Sequence, residues 1–455
     1  MRIAHFSDLH YGTRTLDEAE RCFGAAIERA VAQGAQAAVM SGDATDHALD
    51  LHSPAAARLV ERVRRLADHC PVLLLQGTYS HEPPGTLDIF RSVGGRHPIH
   101  VADRIQQVAL TREGDWIASP QWHFGALPDR AVALFSCLPT VNKATVAATA
   151  GATHAAQAVG EQLARLLCGF APSHRIARSR GLPTIGVSHG TVFGCVSEHG
   201  VPMAGFDHEF TTGALFAAEA QAFMLGHIHR HQTWAQQGLS GAQLIAYAGS
   251  IGRFHYGEEG EKGFLLWEVG TDSACCTLEP TPARRTMDIV FEGRPDLEAL
   301  REAVSRQDIA GASVRVRWTV AEEDRGSVDR GAIQRILADA AETKLEGRIV
   351  PVVRTRMAGI SRMARMEDKL RAWAQVSEVN PEPLLRCLAA LEEATPEDIA
   401  ADLLRERDAE TSPRNPCDWR LDASGGQGYG STSSSVSATA SKSPKACANA
   451  GVPLP

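Results

Sequence analysis

The feature that most restricts the fold of this chain is an alternation of short apolar runs with helical stretches, which continues to about residue 280. The apolar runs are bounded by glycine, proline or polar residues, as buried strands are. They are Arg2–Ser7, Gln36–Ser41, Pro71–Gln76, Ala131–Cys137, Thr184–Ser188 and Ala222–Leu225, with Leu244–Ser250 and Gly263–Val269 as closing strands. Asp17–Gln33 and His154–Phe170 have helical periodicity. This mixture predicts a layered α/β domain with sheet inside and helices outside.

The character of the sequence changes near Arg284, which predicts a second, smaller α/β domain. Its expected elements are strands at Thr286–Glu292, Ser313–Val320 and Arg348–Arg354 and helices at Asp296–Ser305 and Arg330–Thr343. Met366–Arg407 is then helical in pattern, with interruptions at its prolines. Beyond Thr411 the chain is rich in serine, glycine and alanine and is predicted to be disordered, because it offers too little apolar surface to bury.

Composition bounds the class of protein. A chain of 455 residues, 44% hydrophobic and 22% charged, predicts a folded protein of two or three units. With no apolar run of about 18 residues we expect no membrane-spanning helix, and with no signal peptide and no CxxC motif we expect a cytoplasmic location with reduced cysteines. The net charge of −8 counts against nucleic acid as a ligand. However, Arg348–Arg371 is strongly basic. This stretch is either a solvated face of the protein or a surface that contacts nucleic acid or a partner.

Histidines and carboxylates gather where the predicted strands end. The first strand leads into Asp8-Leu9-His10, the second into Gly42-Asp43-Ala44-Thr45-Asp46 and the third into Gly77-Thr78-Tyr79-Ser80-His81-Glu82. Later strands lead into His189-Gly190 and Gly226-His227-Ile228-His229. Each fragment alone is weak, but five in order, each after a strand, predict one site, because open α/β sheets bind ligands at the carboxyl ends of their strands.

Mixed histidine and carboxylate ligands suit Mn²⁺, Zn²⁺ or iron. Two such ions about 3.5–4 Å apart can hold a phosphodiester and stabilise its leaving oxygen. The pattern therefore favours metal-dependent phosphoester hydrolysis.

The order DLH, GDATD, GxxxHE, SHG and GHIH resembles the calcineurin-like metallophosphoesterase superfamily. Within it, the chain is similar to the SbcD-type family of DNA repair nuclease subunits, because Tyr247–Phe264 carries an Ala-Gly-Ser turn followed by GEEGEKGF. The resemblance covers roughly residues 1–410 and is more specific before residue 270 than after it. It implies a metallophosphoesterase β-sandwich flanked by helices, a small α/β capping domain and C-terminal helices.

The resemblance also implies a role for each site residue. Asp8, His10 and His229 would hold the first metal, Asp43 would bridge, and His189 and His227 would hold the second. His81 would protonate the leaving group or orient phosphate, and Asp46 matches an acidic or histidine position near the site. The chain departs from the family at Gly77–Glu82, which is two residues longer and lacks the usual asparagine ligand. Ser80, directly before His81, is the expected replacement oxygen donor.

The implied function is a Mn²⁺-dependent DNA exonuclease or endonuclease in double-strand-break repair and recombination. Implied partners are DNA, an SbcC-like coiled-coil ATPase and a second copy of the chain. No GxxxxGK[ST] loop occurs, so ATP dependence would come from the partner. Two alternatives stay open: a phosphodiesterase or phosphatase for a small or protein substrate, and a catalytically weak DNA-end-binding scaffold, which only the absent asparagine favours.

Domain boundaries follow from these patterns. We expect the nuclease domain at residues 1–283, the capping domain at 284–362, a helical partner-binding segment at 363–411 and a disordered tail at 412–455. Apolar residues at helical spacing after Met366 predict either a partner-binding face or helices that fold back on the catalytic domain.

Overall fold

A computed structural model of the chain describes residues 1–50, 52–140, 155–203, 209–238, 241–351 and 359–410. The chain forms two compact units, residues 1–352 and 353–455. The tail predicted to be disordered lies outside the described residues, and the expected boundaries at 283, 362 and 411 stay predictions.

The described residues of the first unit form eighteen strands and six α-helices. The strands are β1 (Arg2–Phe6), β2 (Ala37–Met40), β3 (Val72–Leu75), β4 (Ile99–Ala102), β5 (Gln106–Thr111), β6 (Trp116–Ala118), β7 (Ala131–Leu138), β8 (Thr184–His189), β9 (Thr191–Val192), β10 (Glu209–Phe210), β11 (Ala222–Gly226), β12 (Gln232–Gly238), β13 (Gly241–Tyr247), β14 (Gly263–Val269), β15 (Ala274–Pro280), β16 (Thr286–Glu292), β17 (Ser313–Ala321) and β18 (Glu342–Val350). The helices are α1 (Leu16–Ala32), α2 (Pro54–Ala67), α3 (Ala155–Ser179), α4 (Thr212–Phe216), α5 (Leu297–Arg306) and α6 (Arg330–Ile336).

Two large sheets form the centre of this unit. The first has the order β15-β14-β1-β2-β3-β4, with β1 to β4 parallel, β14 antiparallel to β1, and β15 antiparallel to β14. The second has the order β12-β13-β11-β8-β7-β5-β6, with β7, β8, β11 and β13 parallel. The parallel strands β1, β2, β3, β8 and β11 are buried apolar runs, which is why the sequence pattern predicts them.

The two sheets pack face to face because their strands alternate. Ile3, Val39 and Leu73 of the first sheet share one buried cluster with Phe135 and Val187 of the second. The intervening residues of β1 to β3 point the other way, as the two-residue period of a strand requires. Residues on the outer faces therefore need a second apolar layer.

Helices supply that second layer on both sides. Phe6 and Met40 pack with Phe23 of α1 and Val63 of α2. On the other sheet, Phe223 and Leu225 of β11 pack with α3 and α4. The predicted layered β-sandwich flanked by helices is confirmed.

A small three-stranded parallel sheet follows, in the order β16-β17-β18, with α5 and α6 as its crossover helices. The small α/β fold expected here is confirmed, but its end is shifted. Helix α6 stops at Ile336 rather than Thr343, and β18 begins at Glu342 rather than Arg348. Nine residues of β18 pair with β17. Pairing with β17 therefore places Glu342 and Thr343 in a strand, although local propensity assigns them to a helix.

The described residues of the second unit, 359–410, form three α-helices: α7 (Met366–Val376), α8 (Glu382–Glu393) and α9 (Pro396–Glu410). The breaks between them fall at the prolines that the sequence marked. No helix in the described part of the chain is both long enough and apolar enough to cross a bilayer.

Candidate metal centre

The carboxyl ends of five parallel strands bring the predicted ligands together. Asp8 and His10 follow β1, Asp43 follows β2, and His227 and His229 follow β11, while His189 is the last residue of β8. The loop from Gly77 to Glu82 follows β3. Because both sheets run their parallel strands toward this edge, residues more than 200 positions apart in sequence are in contact, such as His10 and His229.

The first group of ligands is Asp8, His10 and His229, whose ligand atoms lie within 4.8 Å of one another. The Nε2 atoms of His10 and His229 are 3.0 Å apart. Oδ1 of Asp8 is 3.9 Å from Nε2 of His10 and 3.8 Å from Nε2 of His229. Three ligand atoms therefore converge on one small space.

The second group is Asp43, His189 and His227, also within 4.8 Å. Nε2 of His189 is 3.2 Å from Oδ2 of Asp43. The backbone N–H of His227 donates to both carboxylate oxygens of Asp8, at 3.1 and 3.2 Å, which joins the two groups.

Electrostatics keep the histidines of the first group neutral. Burial lowers the pKa of His10 to about 4 and lowers the pKa of His229 well below its usual value. A neutral imidazole has a lone pair to offer a metal, whereas a protonated one does not. Burial, with a smaller contribution from the nearby Asp43 carboxylate, raises the pKa of the Asp8 carboxyl to about 6.

In the second group, the buried carboxylate of Asp43 and the imidazole of His189 attract each other strongly. Burial opposes the charges of both partners, but the attraction between them raises the pKa of His189 to about 9 and lowers the pKa of Asp43 well below its usual range. Nδ1 of His189 donates to the carbonyl oxygen of Ser41 at 2.8 Å, so Nε2 is the nitrogen that faces Asp43. This second hydrogen bond fixes the ring as it does for metal-bound histidines.

The backbone at the ligands is unusual. Six described non-glycine residues have positive φ, and four of them are Asp8, His10, Asp43 and His227. Their φ values of 51°, 47°, 52° and 99° lie in a backbone region that residues other than glycine rarely adopt. Such outliers concentrate at functional sites, where the surrounding structure holds them in place.

Two glycines permit the close approach of the ligand loops. Gly42 has φ of 105°, and a Cβ there would overlap the ring of His189. A Cβ on Gly77 would overlap the backbone nitrogen and a carboxylate oxygen of Asp43. The strand-end glycines are therefore part of the site's geometry.

His81 lies at the edge of the first group. Its Nδ1 donates to the carbonyl oxygen of Asp46 at 2.7 Å, and its ring lies edge-on to that of His10, with centroids 4.8 Å apart. The hydroxyl of Thr45 donates to the carbonyl oxygen of His81 at 2.8 Å. His81 is thus oriented with Nε2 available. Asp46 orients it through its backbone, while its carboxylate lies 3.8 Å from Nδ1 of His10.

The structure does not bring Ser80 into the site. Its side chain is exposed, and the hydroxyl beside the second group belongs to Thr78. The sequence predicts Ser80 as the oxygen donor because it directly precedes His81. The loop instead turns so that His81 and Glu82 donate their backbone N–H groups to the carbonyl oxygen of Thr78. That turn directs Thr78 inward and leaves Ser80 outside.

Two buried charged residues hold the ligand loops; the sequence favoured a structural role for Glu82 and assigned none to Lys262. Glu82 accepts the backbone N–H of Ala44 at 2.5 Å and of Gly77 at 2.6 Å, linking the loops after β2 and β3. Lys262 donates to the carbonyl oxygen of His229 at 2.8 Å and pairs with Glu258 at 2.5 Å. In the sequence, the GEEGEKGF segment is the feature that could have pointed to Glu258 and Lys262.

The residues present fit two divalent ions. Each group offers two imidazoles and a carboxylate, the donor set that suits Mn²⁺, Zn²⁺ or iron. Nδ1 of His10 and Nδ1 of His229 are buried without a hydrogen-bond partner among the described residues. Two further groups, His10–Asp46–His81 and His229–His255–Glu258, share a histidine with the first one and extend the site at its margins.

Comparisons with known proteins give little beyond this geometry. No protein-family model matches the chain. No curated protein sequence matches it. Among solved structures, a dimetal phosphatase from Danio rerio aligns with a TM-score of 0.35 and 11% sequence identity, over 61% of this chain and 98% of the phosphatase chain. A likeness at this score carries no argument about activity, so the assignment of the site rests on the converging ligands themselves.

Proposed function

We propose that this protein is a two-metal phosphoesterase that hydrolyses the phosphodiester bonds of DNA. The observation that carries the proposal is the convergence of six histidine and aspartate ligands, in two adjacent groups, at the ends of parallel strands. Asp8, His10 and His229 would hold one ion, and Asp43, His189 and His227 the other. Bound divalent ions supply charge that polarises a phosphoryl group and stabilises the oxygens that enter and leave.

The protein's own residues would position the substrate and move the proton. His81, oriented by Asp46 through Nδ1, has Nε2 available to protonate a leaving oxygen. The backbone N–H of Thr78 holds Oδ1 of Asp43 at 2.7 Å, which leaves Oδ2 directed at the second group. Glu82 holds the two loops that carry these residues in a fixed relation.

DNA is proposed as the substrate because of the segment between Tyr247 and Phe264 and the small domain that contacts it. Lys262 of this segment donates to the carbonyl oxygen of ligand His229, so the segment is built into the site. Arg315 of β17 lies over the Tyr256 ring, 5.1 Å from its centroid. A small domain that contacts this segment favours a large substrate over a small phosphoester.

The assembly is proposed on the resemblance of the sequence to the SbcD-type family. The protein would act in the cytoplasm as a homodimer with Mn²⁺ bound, together with an SbcC-like coiled-coil ATPase. The helices of the second unit carry exposed apolar residues, including Trp373 and Leu391, that would dock on that partner.

The test is cleavage of linear duplex and single-stranded DNA beside hydrolysis of a p-nitrophenyl phosphodiester, with Mn²⁺ and with a chelator. Metal-dependent degradation of DNA, stopped by the chelator, is the expected result. Hydrolysis of the small ester without DNA cleavage would favour the phosphodiesterase alternative. DNA binding without hydrolysis of either substrate would favour the weak scaffold, and equal cleavage with and without chelator would reject a metal-dependent enzyme.

A further inference from the structure

The Thr78 hydroxyl forms a compact triangle with two residues of the second ligand group. Its Oγ1 is 3.2 Å from Oδ2 of Asp43 and 3.1 Å from Nε2 of His189. Those two atoms are themselves 3.2 Å apart. All three edges of the triangle are therefore nearly equal.

Such a triangle has the dimensions of one face of a metal coordination shell. Ligand atoms bound at about 2.1 Å to one ion lie about 3.0 Å apart in octahedral geometry and about 3.4 Å apart in tetrahedral geometry. The three edges fall within this range. The Asp8, His10 and His229 triangle has two longer edges, of 3.8 and 3.9 Å, so the second group is the more tightly organised one.

The loop conformation holds the hydroxyl in this position. The carbonyl oxygen of Thr78 accepts the backbone N–H groups of His81 at 2.9 Å and Glu82 at 2.7 Å, and its own N–H donates to Asp43. Both backbone polar groups of Thr78 are thus committed, which fixes the residue beside the ligands. Ser80, two residues later, has an exposed side chain.

We infer that the Thr78 hydroxyl oxygen is a direct ligand of the second divalent ion, together with Asp43, His189 and His227. The inference rests on the proposed two-metal function and deepens it. The second site would then carry a neutral hydroxyl oxygen, a harder donor than imidazole, which favours Mn²⁺ or Mg²⁺ at that position over softer ions.

The decisive experiment replaces Thr78 with a residue whose metal bond can be seen. In a Thr78→Cys variant of the full chain, titrated with Co²⁺, a thiolate at this position would bind the ion and give a sulfur-to-cobalt charge-transfer absorption. A Ser80→Cys variant is the matched control, since its side chain is exposed. We expect the absorption in the Thr78→Cys variant and not in the control or the unmodified protein.

A second measurement uses Mn²⁺ alone. Calorimetric titration of a Thr78→Val variant, which keeps the side-chain shape, should show one of two ions bound roughly 10- to 100-fold more weakly, as for loss of a metal-orienting group. Thr78→Ser should restore the affinity, and the other ion serves as an internal check on folding.

The outcomes separate the inference from the proposed function. If the unmodified protein binds two ions and cleaves DNA, but the Thr78→Cys variant gives no charge-transfer absorption, Thr78 only positions Asp43 and the inference is rejected. If the absorption arises in the Ser80→Cys variant instead, Ser80 is the donor. If the unmodified protein binds fewer than two ions, the two-metal function fails, and the inference fails with it.

Discussion

At the scale of single residues, the site is costly to build. Asp8, His10 and Asp43 each have positive φ, which costs on the order of 1–3 kcal/mol per residue. Backbone hydrogen bonds between the two loops compensate: the N–H of Asp8 donates to Gly42 and that of His10 donates to Asp43. Because each loop holds the other, the strained geometry exists only when both strands are in place.

Asp43 is the residue whose loss should affect the site most. Its carboxylate contacts Thr78 and His189, and its proposed role is to bridge both ions. In an Asp43→Ala variant we expect both ions and all metal-dependent cleavage to be lost, measured by metal content and nuclease assay. A variant that retains one ion at full occupancy would show that Asp43 is not a bridge.

His81 should separate chemistry from metal binding. An imidazole that transfers a proton contributes roughly 10²- to 10⁴-fold to the rate, so His81→Ala should keep both ions and lose cleavage by that factor. His97, beside Pro71 at the opposite end of the strands, provides the control His97→Ala with normal activity. An empty metal site in the His81→Ala variant would make His81 a ligand instead of a proton donor.

At the scale of elements, buried polar groups connect helices to strands. His174 of α3 is fully buried; its Nδ1 donates to the carbonyl oxygen of Ala218 at 2.6 Å, and Ser136 of β7 contacts its Nε2 at 2.7 Å. The ring is neutral in the folded protein, because burial lowers the pKa of His174 to about 4. A histidine in this state makes folding sensitive to acid.

The direction of that sensitivity follows from proton linkage. Below its unfolded pKa of 6.5, His174 gains a proton on unfolding, so the free energy of unfolding falls as the pH drops from 6.5 toward 4. The loss from this residue is at most about 3 kcal/mol.

A His174→Gln variant should be less stable near neutral pH, yet lose less stability on acidification. Denaturant unfolding of both proteins at several pH values provides the comparison. An identical pH dependence of the two proteins would show that His174 does not contribute.

At the scale of the whole molecule, the proposed function assigns metal binding to the first unit and partner binding to the second. Residues 1–352 hold every candidate ligand, while residues 353–455 include three helices with exposed apolar side chains such as Val376 and Leu391. The proposed function assigns these exposed side chains to a partner-binding surface.

Removing residues 366–455 should therefore leave a chain that binds metal and cleaves DNA but no longer co-purifies with an SbcC-like ATPase. A full-length chain carrying Trp373→Asp and Leu391→Asp tests the same surface without truncation, and Arg386→Ala is its control. A truncated protein that still captures the ATPase, or one that unfolds, would favour helices that fold back on the catalytic part.

The sequence by itself determined the layered fold and the residue types at the candidate site. Short apolar runs report burial directly, so β1, β2, β3 and β8 could be located from pattern alone. Helices α2 and α4 and the strands β4, β5, β6, β9, β10, β12 and β15 were missed; β12 and β15 are partly exposed, and pairing with a neighbouring strand stabilises them more than their own composition does.

Only the tertiary structure decided which side chains meet. The sequence predicted Ser80 as the oxygen donor, whereas the structure places the hydroxyl of Thr78 beside Asp43 and His189 and leaves Ser80 exposed. That placement depends on the φ and ψ angles of a loop held by Glu82 and Asp43. The register of β18 and the contact of His10 with His229 also depend on packing between segments that are distant in sequence. Local sequence encodes burial, whereas long-range packing sets loop conformation and register, and these place the atoms of the site.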